Sequence, residues 1–377
     1  MICKSIEVEQ FRNIEHARVD FTPGVNVLIG NNAQGKTNLL EALAFSALGK
    51  SFRGARDADL IRFSQKQSSI DLVYFDGVRD TSLKTLLFDT KKKRVEQNGL
   101  AVKRMSEIVG GLRVVLFCPE HLSLVKDGPD ERRTFLDMAI SQLKPVYLAS
   151  LQRYNKILKE RNRLLKMASE SEKERKTMEQ TIEVWSAQLA REGALLAKYR
   201  VRYVKKLSQE IRGVFRDMTG AREIPTLSYL GSCYFEDESE YEDQEQTEKA
   251  LFSLLCRSQA REMLLGRTLY GMHRDDVLIG LNGKEARLFA SQGQQRSLSL
   301  AMKLGEGEIS RQTCGDYPVF LFDDVLSELD GERRKYLTES IKDKQVIMTT
   351  CELLEQEQKL LQNASVTRVE NGVFTKL

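Results

Sequence analysis

The run Gly30-Asn31-Asn32-Ala33-Gln34-Gly35-Lys36-Thr37, followed by Asn38, has the spacing G-x-x-x-x-G-K-T. Glycines in such a loop let backbone N–H groups face phosphate oxygens, and the N-terminus of a following helix favours the same anion. Lys36 would reach the β- and γ-phosphates, and the Thr37 hydroxyl would ligate Mg2+. A site of this kind needs a second half, an acidic residue at the end of a buried strand. The stretch YPVFLFDDVLSELD supplies one. Asp323 would take the metal, directly or through water. Asp324 would face the γ-phosphate and position or deprotonate the attacking water. Each motif has a bland counterpart, a chance match to the loop or a strand ending in an acidic turn. Together they point to a nucleoside triphosphate. A third run, Ser291-Gln292-Gly293-Gln294-Gln295-Arg296, opens a long helical pattern. It holds no evident nucleophile, base or metal ligand, and alone it reads as a polar helix start.

The elements that must position these residues are visible around them. Val25 to Ile29 is a short apolar strand before the glycine loop, and LLEALAFSAL has helical spacing after it. SIEVEQF and HARVDF alternate with period two, and LIRF, SSIDLVYF and SLKTLLF read as further strands. DTKKKRVEQNGLAV reads as a hairpin with Asn98-Gly99 as its turn. From Pro145 to about Gly220 the pattern is helical. Leu151, Tyr154, Leu158 and Leu165 share one face, and Trp185, Leu189, Leu196, Tyr199, Tyr203, Leu207 and Ile211 form a second stripe. The polar stretch MASESEKERKTMEQ between them is expected to hold the bend of an antiparallel helical pair. Residues 236–248 carry eight acidic side chains and read as an exposed, mobile loop. Strand and helix patterns return from Leu278. The basic helical region is therefore inserted between two halves of one nucleotide-binding lobe.

With 377 residues, two lobes are expected. Hydrophobic residues are 41% and charged residues 30%, an ordinary composition for a soluble globular chain. The net charge is only +4, yet residues 151–215 hold 16 Lys and Arg against eight Asp and Glu. That local excess suits a polyanionic partner or simply a solvated helical face. The six cysteines (Cys3, Cys118, Cys233, Cys256, Cys314 and Cys351) are scattered, with no Cys-x-x-Cys. This argues against a disulfide framework and for a reducing, cytoplasmic setting. The N-terminus has no apolar signal core, and no window reaches the length of a membrane span.

The order GNNAQGKTN, SQGQQR, FLFDDVLSELD resembles ABC-type ATPases with split nucleotide-binding domains, the group that contains the SMC proteins. The closer resemblance is to the RecF family. FRNIEHARVDFTPGVNVLIGNNAQGKTNLLEAL, KSFRG, LFCPEHLSLVKDGPDERRTFLD and GMHRDDVLIGLNGKEARLFASQGQQRSLSLAMKLGE carry it, nearly end to end. The middle of the chain is too short for the coiled-coil arms of SMC proteins. The implied fold is α/β, an ABC-type ATPase head with a split nucleotide-binding lobe of mixed sheet and helices, plus a mainly helical second lobe. Lobe I would join residues 1–115 and 270–377, and lobe II would be 116–269.

The resemblance implies ATP and Mg2+ as ligands and gives the polar run a role. It matches the signature sequence that closes over the γ-phosphate held by a second subunit. Ser291, Gly293 and Gln294 match its serine, glycine and glutamine, Gln292 replaces a glycine common in transporters, and Gln295 completes the run. Ser327 and Asp330 resemble the loop that crosses the dimer interface. Thr349 and Thr350 stand where transporters place a switch histidine and would sense the γ-phosphate by hydrogen bonding. Arg12 and Asn13 resemble an element near the nucleotide, or equally a strand-end turn. Asp324 replaces a glutamate common in transporters, and the shorter carboxylate implies slow hydrolysis; the resemblance implies a weak ATPase stimulated by DNA. The expected partners are a second copy of the chain, joined on ATP binding, double-stranded and gapped DNA, and RecR and RecO, in loading recombinase at gaps. Lys91, Lys92, Lys93 and Arg94 are candidate DNA contacts or idle surface charges. A non-catalytic clamp in which nucleotide only gates dimerisation is the alternative.

Overall fold

The computed structural model describes residues 1–220, 222–352 and 363–377, without the side chains of residues 122 and 123. The chain opens with β1 (Ile2–Phe11), β2 (Ile14–Asp20) and β3 (Val25–Ile29), then α1 (Lys36–Leu48). Next come β4 (Gln67–Phe75), β5 (Asp80–Phe88), β6 (Arg94–Gln97), β7 (Leu100–Ala101) and β8 (Val114–Phe117). Helices α2 (Pro129–Leu143), α3 (Pro145–Glu170) and α4 (Glu172–Thr219) follow, then β9 (Pro225–Leu230) and α5 (Gln244–Leu265). β10 (Asp276–Leu281), β11 (Lys284–Glu285) and α6 (Ala286–Phe289) lead to α7 (Gln292–Cys314) and β12 (Val319–Asp323). The last elements are α8 (Gly331–Ser340), β13 (Val346–Thr350), β14 (Ser365–Glu370) and β15 (Val373–Lys376). No described helix is long and apolar enough to cross a membrane.

Two compact units result. The first comprises residues 1–123, 214–222 and 291–377, and the second 124–213 and 223–290. Residues 116–123 and 214–222, expected in the second lobe, belong to the first unit, and the segment 270–290, expected in the first lobe, belongs to the second. The reason is that β10 pairs along its length with β9, from Asp276 opposite Leu230 to Leu281 opposite Pro225.

The first unit is built on two sheets. One is antiparallel, in the order β2-β1-β4-β5-β6-β7. The other runs β15-β14-β3-β13-β12-β8, and all its strands but β15 are parallel. Val25–Leu28, VFLFD and VIMTT are unbroken buried runs because both faces of this sheet are covered. Leu28, Leu116, Leu321 and Ile347 pack on one side with Leu39, Leu40, Leu43 and Phe45 of α1. Val27, Phe117, Phe322 and Met348 pack on the other with Leu300 and Leu304 of α7 and Leu337 of α8. Helix α7 lies so close to β12 that a Cβ at Gly307 would stand 2.3 Å from the Phe320 ring. The stretch LIRF is not a strand. Leu60 closes a short 3-10 turn, Ile61 makes a single bridge to Phe11, and Arg62 begins a β-turn.

In the second unit the helical pair is present, but its polar stretch is helical apart from a break at Ser171. Ser150 and Arg153 meet Glu192, and Tyr147 meets Arg200, which makes the pair antiparallel. Two of the basic residues counted here are internal. Arg161 is paired with the equally buried Glu262, and Arg200 with Asp137. The acidic run is not a loop throughout. Asp237 caps a 3-10 turn over Glu238–Glu242, Asp243 caps α5, and Tyr241 is buried. Acidic side chains complement the N–H groups of a helix start, so the same residues that suggest a solvated loop also begin helices. His273 accepts or donates a hydrogen bond at Nδ1 with the Tyr154 hydroxyl (2.8 Å), and burial pushes its pKa down to about 4. It is neutral at physiological pH, as a packing histidine would be.

Candidate functional site

Sheet register brings the two sequence motifs together. Across β12 and β13, Asp323 stands opposite Thr349, and across β13 and β3, Thr350 stands opposite Ile29. The glycine loop therefore springs from the C-terminal edge of the parallel strands beside the acidic pair, where α/β sheets commonly bind ligands. Gly30 has no room for a side chain, since a Cβ would lie 2.2 Å from the Val369 carbonyl oxygen. Gly35 caps α1 at φ 111°, and Ala33 also has positive φ, at 65°. The turn between β14 and β15 buttresses the loop. Asn371 and Gly372 donate their N–H groups to the side chain (2.6 Å) and carbonyl (2.9 Å) of Gln34.

Four polar groups form a node at the base of the loop. Thr37 Oγ1 donates to Asp323 Oδ1 at 2.8 Å, and Thr349 Oγ1 donates to the same oxygen at 2.7 Å. The Asp324 N–H donates to Thr349 Oγ1 at 2.9 Å. Asp324 has a left-handed backbone (φ 49°), tolerated by Asp better than by most residues. Its Oδ1 is buried with no hydrogen-bond partner among the described residues. Thr349 thus directs its one hydroxyl proton at Asp323, and Thr350 directs its own at the Glu352 carbonyl (2.7 Å). The expected γ-phosphate donors are arranged here to hold the aspartates and the strand end. Lys36 is buried, with Nζ on the carbonyls of Gly30 (2.5 Å) and Asn31 (2.9 Å).

Burial raises the pKa of Asp323, against the hydrogen bonds from Thr349 and Thr37 that lower it. The fold thus favours the neutral carboxyl. This contribution to stability is complete in acid, below the unfolded pKa near 3.9, and is lost as pH rises through the raised folded value. Asp323→Asn keeps the acceptor oxygen without the charge. It is expected to raise the ligand-free melting temperature at neutral pH by about 2 °C per kcal/mol relieved, with the gain vanishing in acid. Calorimetry across that pH range checks it.

Arg12 and Asn13 lie in the turn after β1 and line the same cavity as the glycine loop, about 1230 Å³. Asn13 donates to the Ala33 carbonyl (3.2 Å) and accepts from Asn38 (2.7 Å). Arg12 grips the fully buried Glu41 with two hydrogen bonds of 3.0 Å. Glu41 was not singled out by sequence reasoning; its signal is a lone charge in the apolar run LLEALAF. Cys351 also joins the site, with Sγ 3.0 Å from Asn32 Oδ1 and 4.0 Å from Lys36 Nζ, and nothing local in the sequence marks it.

Ser291, Gln292, Gly293, Gln294 and Gln295 are not among the residues that line this cavity. Ser291 is exposed and caps α7 reciprocally with Gln294. Its N–H donates to Gln294 Oε1 (2.7 Å), and the Gln294 N–H donates to its Oγ (3.3 Å). The helix start is tied to the segment after β12. Arg296 bonds the Glu328 carbonyl (2.7 Å) and carboxylate (2.9 Å), and Arg333 bonds Ser297 (2.5 Å). Ser327 Oγ donates to the Asp324 carbonyl (2.7 Å), and Asp330 caps α8. Of the four basic residues expected to meet DNA, Lys91, Lys92 and Arg94 are exposed. Lys93 is turned inward, 2.7 Å from the Gly49 carbonyl, paired with Asp57 and above the Phe45 ring.

Similarity to known proteins agrees with this geometry. The family model described as RecF/RecN/SMC N terminal domain matches residues 2–375. The DNA replication and repair protein RecF of Ruminiclostridium cellulolyticum is 39% identical over 350 residues, covering 93% of this chain and 92% of that one. Its counterpart in Staphylococcus haemolyticus is 38% identical over 378 residues, 100% of both chains. A solved structure described as the recombination mediator protein RecF-ATPrS in RecFOR pathway superposes with a TM-score of 0.91 at 32% identity, covering 100% of this chain and 98% of that one. An Smc head bound to the C-winged helix domain of ScpA superposes at 0.57 with 15% identity, covering 100% and 97%, a likeness of fold alone. The fold is that of an ABC-type ATPase head with a second, mainly helical unit. The chain belongs to the RecF family, within the RecF/RecN/SMC group.

Proposed function

We propose that this chain is an ATPase of recombinational DNA repair that binds ATP at the Gly30–Thr37 loop, dimerises on it and hydrolyses it slowly. The node joining Thr37, Asp323, Thr349 and Asp324 carries this reading, because it ties the glycine loop to the Asp323 carboxylate and to the backbone of Asp324, whose carboxylate would then serve as proton acceptor. Loop N–H groups, including those of Gly35 and Lys36, would hold the phosphates, with Lys36 exchanging its carbonyl partners for the β- and γ-oxygens. Thr37 Oγ1 and Asp323 Oδ1 are hard oxygen donors 2.8 Å apart and suit Mg2+, which takes few protein ligands beside phosphate and water. Bound there, Mg2+ would neutralise charge on the β- and γ-phosphates. Asp324 would accept the proton of a water whose oxygen attacks the γ-phosphorus as the bond to the β,γ-bridging oxygen breaks, leaving ADP and phosphate. Ser291, Gly293 and the α7 N-terminus would close over the γ-phosphate of the other copy, with Ser327 and Asp330 at the junction.

The DNA contacts would be mainly to phosphates, with Lys91, Lys92 and Arg94 as candidates, so affinity would fall steeply with salt. The relatives named DNA replication and repair protein RecF and the structure described within a RecFOR pathway support DNA, RecR and RecO as partners, and double-stranded and gapped DNA would be the forms bound. Single-turnover hydrolysis of ATP by the full chain, with and without gapped duplex, tests the reading. Phosphate release that rises with DNA supports it. A DNA-bound, ATP-bound dimer that releases none would leave a clamp gated by nucleotide alone.

A further inference from the structure

We propose that Glu7, Glu9 and His16 form a three-ligand site for a divalent ion of the Zn2+ type on the antiparallel sheet, independent of the nucleotide reading. Among the described residues they are the one group of three His, Cys, Asp or Glu side chains whose ligand atoms converge, all within 4.8 Å of one another. Strand geometry puts them there. Glu9 stands directly opposite His16 across β1 and β2, and Glu7 is two residues away along β1, on the same face. Ile6 and Val8, which alternate with the two glutamates, are fully buried on the other face. The site therefore faces solvent from a strand held on both sides, by β2 and β4.

The spacing suits such an ion. His16 Nε2 lies 3.0 Å from Glu7 Oε1. Two ligands bound at about 2.1 Å to a tetrahedral ion stand about 3.4 Å apart, so this pair can share one with little movement. Glu9 completes the set. Its Oε2 accepts from Ser69 Oγ (3.3 Å), the kind of outer contact that orients a ligating carboxylate. One imidazole with two carboxylates favours Zn2+ over Mg2+, which demands an octahedron of oxygen ligands. Three protein ligands leave a fourth position open to water or to a group of another molecule. Charge is a second, independent observation. Glu7 lies directly opposite Asp71 across β1 and β4, a like-charge pair that destabilises a sheet unless cations answer it. Lys84 answers Asp71 at 3.2 Å, and Arg18 approaches Glu7 at 3.6 Å. With Glu9 beside them the carboxylates still outnumber these cations, and a divalent ion between Glu7, Glu9 and His16 meets the remainder. An exposed pair such as His16–Glu7 contributes little stability of its own, so the fold does not require this trio.

The test is a calorimetric titration of the nucleotide-free full chain with Zn2+, in excess Mg2+ to occupy sites built of oxygen alone. Affinity should fall about 100-fold in His16→Ala, and at least about tenfold in Glu7→Gln and in Glu9→Gln. Cys314 and Cys351 are exposed thiols that could also take Zn2+. All four proteins keep them, so the difference between wild type and variants belongs to the triad. Co2+ in place of Zn2+ should give the visible absorption of a four-coordinate ion in wild type and not in His16→Ala. Zn2+ should also raise the melting temperature of wild type more than that of any variant, and the metal-free melting temperatures show that the variants fold. Wild type that binds Zn2+ no more tightly than His16→Ala overturns the proposal. So does binding that survives either glutamate substitution, which would leave His16 without the three-ligand set.

Discussion

Asp324→Asn is expected to lower single-turnover ATP hydrolysis by about 10²- to 10⁴-fold, the usual contribution of a positioned general base, while leaving ATP binding intact. The substitution preserves shape and left-handed tolerance, because Asn adopts positive φ as readily as Asp. The Asp324 N–H can still reach Thr349 Oγ1, and Ser327 can still reach the residue-324 carbonyl. What is lost is the capacity to take a proton. In the proposed role the Asp324 carboxylate would take that proton, and its Oδ1 has no hydrogen-bond partner among the described residues. Phosphate release by quenched flow reads the effect. A variant turning over within a few-fold of wild type would leave Asp324 as a turn residue and move the proton chemistry elsewhere.

The second large effect is expected at Ser291. Ser291→Arg should abolish ATP-dependent dimers, read by light scattering with and without ATP, and with them hydrolysis. The serine is exposed and lies outside the residues lining its own chain's cavity, so in the proposed dimer it would meet the γ-phosphate held by another copy. Gly293 and the helix N-terminus favour an anion, and a bulky side chain at the cap blocks that approach. Because Ser291 also caps α7, its loss costs about 1 kcal/mol of helix stability. Ser291→Asn keeps a capping side chain and separates the two effects. If Arg dissociates the dimer and Asn merely weakens it, the contact is in trans. Dimers persisting in Ser291→Arg would count against that assignment.

Much of the site was legible because its chemistry is local. The glycine spacing of Gly30–Thr37, the apolar strand before it and the helix after it are set within a short stretch of chain, where backbone sterics and hydrogen bonding act directly. The same holds for Asn98-Gly99, whose positive φ values of 52° and 77° form the expected hairpin turn. It holds too for the Ser291–Gln294 cap, written into four consecutive residues. Where a local signal has two physical meanings, reading it failed. The acidic residues of 236–248 are as suited to helix N-termini as to a solvated loop, and Tyr241, among them, is buried. LIRF has strand composition, but its single bridge to Phe11 leads into a strained turn.

By itself, then, the sequence determined the glycine loop, the aspartate pair and the polar helix cap. The tertiary structure alone decided which groups meet. Asp323 reaches Thr37 and Thr349 because three strands distant in sequence pair in one register, and a shift by one residue would turn those side chains to the other face. Arg12 is neutralised by Glu41, and Arg161 by Glu262, because a buried charge is tolerated only beside a partner that packing brings to it. Lys93 turns inward while its neighbours stay in solvent for the same reason. Charge and residue type are properties of the chain, whereas burial and partnership belong to the fold, and the chemistry of this site depends on both.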